Sequence, residues 1–306
     1  MFHVFWVMIK MALRLGIGTW QNFSPDANLV DLSDMIDLAY ANDIFYFDTA
    51  DSYFDGAAEI ILGQILKRFP RNTYKISTKC FYPTSQNPTG GLSSSRVRSS
   101  LRQSLHNLKL DYVDTYFAHR YDVNVSVEEI AITFNELIAE GTILSWGISK
   151  WPSEKIIDLF TYCKKNKLVE PVGQQFQYNL FNQDAETMSF PFYKSLGLPT
   201  IVYSPLAQGV LTGKYTHRVE SDSRASSSIA NQTMWDFSKD KIEKIYRWEK
   251  AIKKIGLNTS QVALAYCLRR TEVSTVLVGT RNVHQLSDLL EVAHLTWSDS
   301  LIQEFV

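Results

Sequence analysis

The sequence predicts an α/β fold, a (β/α)8 TIM barrel, on three observations. Strand-like and helix-like segments alternate along the chain, eight strand-like runs can be counted, and chemically versatile side chains sit where several of those runs end. Residues 13–18 (LRLGIG) form the first apolar run, and Leu29, Leu32, Ile36 and Ala39 then recur at helical spacing. Residues 44–48 read as a strand, 57–68 as a helix and 75–79 as the third strand. Val97, Leu101, Leu105 and Leu108 make a helical stripe, followed by a strand at 113–119. Val127, Ile130, Phe134, Leu137 and Ile138 mark the next helix, which Gly141 stops. A strand at 143–149, a helix at 153–166, a weaker strand at 172–177 and a short helix at 185–196 follow. Residues 200–204 and 274–279 supply the last two strands. A doubly wound open sheet shares this alternation, but eight units favour the closed barrel.

The chain has 306 residues, 45% hydrophobic and 21% charged, with a net charge of −1, a globular composition that offers nucleic acid or an anionic membrane no attraction. Cys80, Cys163 and Cys267 contain no C-x-x-C pair, which argues for a reducing compartment and against a zinc site. His217, His284 and His294 have no metal-ligand spacing and are expected at the surface. The apolar start, residues 1–11, is too short to span a bilayer and reads as a strand or hairpin closing one end of the barrel. Residues 205–240 are Ser- and Gly-rich and too long for a plain connector, as a functional loop would be.

Asp48, Tyr53, Lys79 and His119 each lie at or just beyond a strand end. Parallel strands bring such residues to one edge of the sheet. There a Lys ammonium would lower the phenol pKa of Tyr53, Asp48 would hold the Lys, and His119 would donate a hydrogen bond to a carbonyl oxygen. This set suits protonation of an oxygen while a hydride reaches the adjacent carbon. Trp20, Phe54, Phe81, Tyr82, Tyr121 and Trp151 also lie near strand ends, and several are expected to wall an apolar pocket.

A hydride needs a donor. Gly16 and Gly18 have no third glycine to complete a dinucleotide fingerprint, and the run from Gly209 to Lys214 is one residue short of a P-loop. The alternative is an anion site on the loops after the seventh and eighth strands, with Ser204, Gly209, Lys214, Arg224, Gly279, Thr280 and Arg281 as candidates.

These residues stand in FDTADSY (47–53), YVDTYFAHR (112–120), WGISKW (146–151), QFQYN (175–179), YSPLAQGVLTGKY (203–215), SRAS (223–226) and VLVGTRNVHQL (276–286). In order and spacing they resemble the aldo-keto reductases over about residues 15–291. Within that family the chain looks closest to the branch of voltage-gated potassium channel β subunits and related free-standing reductases. The resemblance implies one barrel domain over 1–306, with an atypical segment at 1–12 and a cofactor-clasping loop at 205–240. It implies NADPH across the top and Asp48, Tyr53, Lys79 and His119 as the catalytic tetrad. Cofactor contacts are implied for Thr19, Trp20, Asp48, Ser149, Lys150, Gln175, Tyr203, Ser204, Pro205, Leu206, Ala207, Gln208, Gly209, Lys214, Arg224, Gly279, Arg281, Gln285 and Asp288. Substrate contacts are implied for Trp20, Phe54, Tyr82 and His119. His119 stands where channel β subunits carry Asn, Lys150 replaces Asn or Arg, Leu289 an adenine-contacting Asn, and Asp26 a Gln. Two functions follow from the resemblance: a cytoplasmic reductase of a small carbonyl substrate, or an NADPH-binding regulatory subunit. The partner would be another copy of the chain or a channel α subunit, without nucleic acid, metal or membrane insertion.

Overall fold

The structure is a computed structural model that describes the backbone of residues 14–216, 239–254 and 256–294. Eight parallel strands close into a barrel in sequence order. They are β1 (Leu15–Gly18), β2 (Tyr46–Asp48), β3 (Lys75–Cys80), β4 (Val113–Ala118), β5 (Ile143–Ser149), β6 (Gln174–Gln177), β7 (Thr200–Tyr203) and β8 (Val273–Val278). The helices are α1 (Leu29–Ala41), α2 (Ala57–Leu66), α3 (Ser94–Leu108), α4 (Val127–Ala139), α5 (Ser153–Asn166), α6 (Ser189–Ser195), α7 (Lys239–Lys254), α8 (Thr259–Leu268) and α9 (Val283–Leu290). The eight-strand barrel is therefore as the alternation predicts, with boundaries shifted by a residue or two. The expected helix at 185–196 is split into a 3-10 turn, Asp184–Glu186, and α6. The N-terminal hairpin expected at 1–11 and most of the loop at 205–240, including Arg224, lie outside the described residues.

Local chemistry sets the helix ends. The Asn28 side chain accepts a hydrogen bond from the Val30 amide at the start of α1, and Ser126 does the same for Glu129 in α4. Asn258 and Gln261 form a reciprocal capping box on α8. Each outer helix turns an apolar stripe onto the barrel: Leu32, Met35, Ile36 and Ala39 from α1, and Val127, Ile130, Ala131 and Phe134 from α4. Phe134 stacks on Trp146 of β5 with ring centroids 4.9 Å apart. Between α2 and α3 the helices approach so closely that a Cβ at Gly63 would overlap the Leu108 backbone.

Because every strand runs the same way, all eight carboxyl ends open onto one face. The register aligns Gly18 with Asp48, Asp48 with Ser77, Ser149 with Gln175, and Gln177 with Tyr203. The side chains at those rungs face the functional end of a barrel of this kind.

Candidate active site

A cavity of about 1260 Å³ opens at that end. Trp20, Tyr53, Tyr82 and His119 line it, and so do Gly279, Arg281, Gln285 and Asp288.

Asp48 ends β2 and Lys79 lies one residue before the end of β3, so both side chains reach the barrel mouth from neighbouring strands. Lys79 is fully buried and Asp48 is 3% exposed. Lys79 Nζ donates to Asp48 Oδ2 at 2.6 Å, to the Thr49 carbonyl at 2.6 Å and to the Tyr53 hydroxyl at 3.4 Å. Asp48 Oδ1 accepts from Ser77 Oγ at 2.6 Å and from Gln175 Nε2 at 3.0 Å. The carboxylate thus meets an ammonium and two neutral donors, which a buried charge needs.

The sequence argument expected the ammonium to lower the phenol pKa. The geometry reverses that expectation. Burial pushes the Tyr53 phenol well above its ordinary value, and the negative charge of Asp48 adds to the rise. The ammonium sits closer to Asp48 than to the phenol, so the carboxylate offsets part of its field at the phenol. Tyr53 therefore holds its proton across the neutral range. Burial also lowers the Lys79 pKa, against the pull of Asp48.

His119 follows β4 directly and its ring packs edge-on against Tyr53 at 6.0 Å and Tyr82 at 5.0 Å. Burial, then the charges of Lys79, Arg120 and Lys150, push its pKa well below the ordinary value, so the imidazole is neutral. Its Nδ1 is buried without a hydrogen-bond partner among the described residues. A buried orphan of this kind points to a missing ligand or a catalytic role.

The loops carrying Tyr53 and Tyr82 are locked together from behind. Arg96 of α3 donates through Nη2 to Asp51 Oδ2 at 3.0 Å and to the Tyr82 carbonyl at 2.9 Å. Ser100 donates to the same Asp51 oxygen. Beneath β3, the carboxyl of Glu59 is fully buried, accepting from Thr78 Oγ1 at 2.6 Å and Asn107 Nδ2 at 2.9 Å. Burial pushes its pKa up to about 7.

After β7 the backbone enters the left-handed region repeatedly, at Ser204 (φ 54°), Ala207 (45°), Gln208 (59°) and Gly209 (100°). Such conformations cost energy in ordinary residues and gather where a chain must present its amides to a ligand. A Cβ at Gly209 would lie 3.1 Å from Lys214 Cε, so glycine lets that lysine fold over the loop. Asn179 Nδ2 pins the Ser204 carbonyl at 2.9 Å. Gln208 Oε1 and Thr280 Oγ1 are buried and lack partners among the described residues. At the far end, the Gln285 side chain accepts from the Arg281 amide at 3.0 Å, and Arg281 lowers the pKa of exposed Asp26 as the last of several causes, behind hydrogen bonding.

Most of the expected site residues line this one cavity. They are Trp20, Asp48, Tyr53, Tyr82, His119, Lys150, Gln175, the stretch from Tyr203 to Gly209, Lys214, Gly279, Arg281, Gln285 and Asp288. Others expected at the site do not line it. Thr19 is buried beneath it, bonded through Oγ1 to Thr49 Oγ1 at 2.9 Å. Ser149 is fully buried and accepts from Arg120 Nη1 at 3.3 Å. Phe54 follows Tyr53 in a left-handed turn (φ 51°) that carries it away from the cavity wall. Of the six aromatics read as pocket walls, only Trp20 and Tyr82 serve. Trp151 packs edge-on against Tyr121 at 5.2 Å, and Phe81 against Tyr82 at 5.4 Å. His284 is exposed as expected, while the side chains of His217 and His294 lie outside the described residues.

Thr280, expected at the anion site, lines the cavity as well, and sequence reasoning missed Arg120, Asn22 and Ser260, which also line it. Arg120 could have been found from its place beside His119 at a strand end. Asn22 and Ser260 carry no such signal.

Among the described residues, no group of three or more His, Cys, Asp or Glu could hold a metal, and no helix is long and apolar enough to cross a membrane. Cys80, Cys163 and Cys267 are free thiols, all buried. A profile of the Aldo/keto reductase family matches residues 14–306, which takes in every strand of the barrel and the whole cavity. The chain belongs to the aldo/keto reductase family.

Proposed function

We propose that this protein is an NADPH-dependent oxidoreductase that reduces aldehydes or ketones to alcohols, with Tyr53 as general acid. The observation that carries the reading is the joining of Tyr53, Lys79, Asp48 and His119 at a cavity that is also lined by a left-handed amide cradle and the cations Lys214 and Arg281. Fit to a dinucleotide rests on that cradle, on Gln208 Oε1 and Thr280 Oγ1, unmet among the described residues, and on a cavity of about 1260 Å³.

Bound NADPH would supply the hydride. The protein's own residues do the rest. Tyr203 would offer its ring as a stacking face at the reactive end, with Lys150 Nζ 5.5 Å from its centroid. Gln208, Gly209 and Lys214 would hold phosphate oxygens, and Arg281 the ribose phosphate. Arg224 belongs to the same proposed set and lies outside the described residues. A carbonyl oxygen between Tyr53 and His119 would accept a hydrogen bond from each, since the imidazole is neutral and the phenol protonated. Transfer of the Tyr53 proton to that oxygen would leave a phenolate 3.4 Å from Lys79 Nζ, the nearest cation able to stabilise it. Asp48 keeps that cation in place.

The whole chain would then act as one barrel domain in a reducing, cytoplasmic setting, with residues 205–240 clasping the cofactor. The second reading, a regulatory subunit of a channel, rests on the branch resemblance. His119 packed on Tyr53 favours turnover.

Mixing purified protein with NADPH and 4-nitrobenzaldehyde tests the reading. Loss of NADPH absorbance is expected, and Tyr53→Phe is expected to abolish it while leaving NADPH binding in place. Since general acids contribute about 10²–10⁴-fold, a Tyr53→Phe variant retaining more than about a tenth of kcat would remove Tyr53 from that role.

A further inference from the structure

Two cations next to the tetrad are not used by the chemistry above. Arg120 follows His119 directly, and Lys150 follows Ser149 at the end of β5. Both line the cavity at its tetrad end. Arg120 Cζ lies 5.4 Å from the Tyr82 ring centroid, and Lys150 Nζ lies 5.5 Å from that of Tyr203, so the pair flanks the space in front of Tyr53 and His119. Lys150 is held there by a left-handed backbone (φ 52°), a strained conformation for a side chain of this size.

Neither has an anionic partner among the described residues. The cavity is lined by three acids, Asp48, Asp184 and Asp288. Asp48 is engaged by Lys79, Ser77 and Gln175, and Asp288 by Asn258 and Gln261. Among the described residues no carboxylate lies within ion-pair distance of Arg120 or Lys150. Arg120 instead uses Nη1 on the His119 carbonyl at 2.6 Å and on Ser149 Oγ at 3.3 Å, which fixes the guanidinium plane. Arg120 also reaches the Tyr203 hydroxyl, and a guanidinium with five N–H donors still keeps some for a ligand. The part-buried Arg120 and the more exposed Lys150 repel one another; Arg120 lowers the Lys150 pKa, second to burial. An anion between them would relieve both the repulsion and the desolvation.

We propose that Arg120 and Lys150 form a carboxylate subsite, so that the preferred substrate is a carbonyl compound bearing a carboxylate. The inference rests on the reductase reading for its use of the carbonyl, but the subsite itself does not require turnover. Planar, charge-assisted pairing favours carboxylate on the fixed Arg120 fork, with Lys150 adding an adjustable charge. The subsite also selects by field, because an anionic substrate is drawn to a mouth with two unmatched cations.

The test compares 4-carboxybenzaldehyde with methyl 4-formylbenzoate, which share the reacting group and differ in charge. With NADPH and the wild-type protein, kcat/KM for the acid is expected to exceed that for the ester by roughly tenfold or more, the usual scale of a hydrogen bond to a charged group. Arg120→Gln and Lys150→Gln are each expected to bring the ratio towards one. A wild-type ratio at or below one, or a ratio that neither substitution changes, overturns the subsite. Calorimetric titration of both compounds into cofactor-free protein separates this from the reductase reading. If neither aldehyde is reduced but the acid alone binds, and does so only with Arg120 intact, the reductase reading fails and the subsite stands. Equal binding of acid and ester overturns the subsite whether or not turnover occurs.

Discussion

Glu59→Gln should change how the stability of this barrel depends on pH. Glu59 lies in the first turn of α2 with its carboxyl fully buried against β3 and α3. Burial pushes its pKa from an ordinary value of 4.5 up to about 7, with Asp51 adding a small repulsion and Thr78 and Asn107 opposing the rise. Lys79 is the nearby cation, and Glu59 contributes weakly to keeping it charged. The folded protein therefore binds a proton at Glu59 that the unfolded chain has released once pH passes 4.5. Where the folded state binds more protons, stability falls as pH rises. The loss accumulates between pH 4.5 and about 7 and is complete above that. At about 1.4 kcal/mol for each pH unit between the two values, it amounts to about 3 kcal/mol. Glutamine can keep both contacts, its oxygen accepting from Asn107 Nδ2 and its amide donating to Thr78 Oγ1. The stability difference, Gln minus Glu, should accordingly grow by about 3 kcal/mol in favour of Gln from pH 5 to pH 8. Urea midpoints of both proteins across that range give the difference directly, since other titrating groups cancel. A difference that stays flat, or that moves in favour of Glu, would show that the carboxyl enters the fold already ionised.

Three further outcomes follow from the same geometry. Arg96→Met strips the counter-charge from Asp51, which is 5% exposed, and should cost about 3–5 kcal/mol in urea unfolding, most of it restored by adding Asp51→Asn; no restoration would mean the loss is packing alone. Lys79→Met should lower both stability and kcat, and adding Asp48→Asn should recover the stability without the rate, because only the buried charge imbalance is cured; joint recovery in the reductase assay would remove Lys79 from the chemistry. Arg281→Ala should weaken NADPH more than NADH, as measured by fluorescence titration, because only the former brings an added phosphate to this end of the cavity; equal losses would place the ribose phosphate elsewhere.

The barrel and tetrad were legible for a topological reason. Once eight parallel strands are recognised, every strand end must reach one face, so Asp48, Lys79 and His119 converge whatever their exact rotamers. Lys79 shows how far that goes. Its position follows from the pattern, but its effect on Tyr53 depends on a competition between 2.6 Å to Asp48 and 3.4 Å to the phenol. No spacing rule ranks those distances, and the expected direction of the Tyr53 shift came out reversed. Thr19, Ser149 and Phe54 stay out of the cavity lining for a related reason. Membership of a strand end does not say whether a side chain points into the cavity, beneath it or away from it. The alternation names no element for α7 and α8, although every residue of α8 but Ser260 is buried and its capping box stands in plain sequence.

Glu59 marks the limit most clearly. In AAEIILG it reads as the solvent-facing acid of an amphipathic helix, and an acid early in a helix needs no other explanation. What buries it is Gly63, four residues on and on the same face. With no Cβ there, α2 closes onto the Leu108 backbone. That approach turns the Glu59 face of α2 towards Asn107 of α3 and Thr78 of β3. The acid, the amide and the hydroxyl are far apart in sequence, and each is unremarkable alone. Only the glycine makes them neighbours. Thr78 precedes Lys79 in β3 and neighbouring strand residues point to opposite faces, so Glu59 packs behind the strand whose other face carries Lys79. A substitution at Gly63 that forced α2 and α3 apart would therefore act on β3 from behind, without touching any residue that lines the cavity.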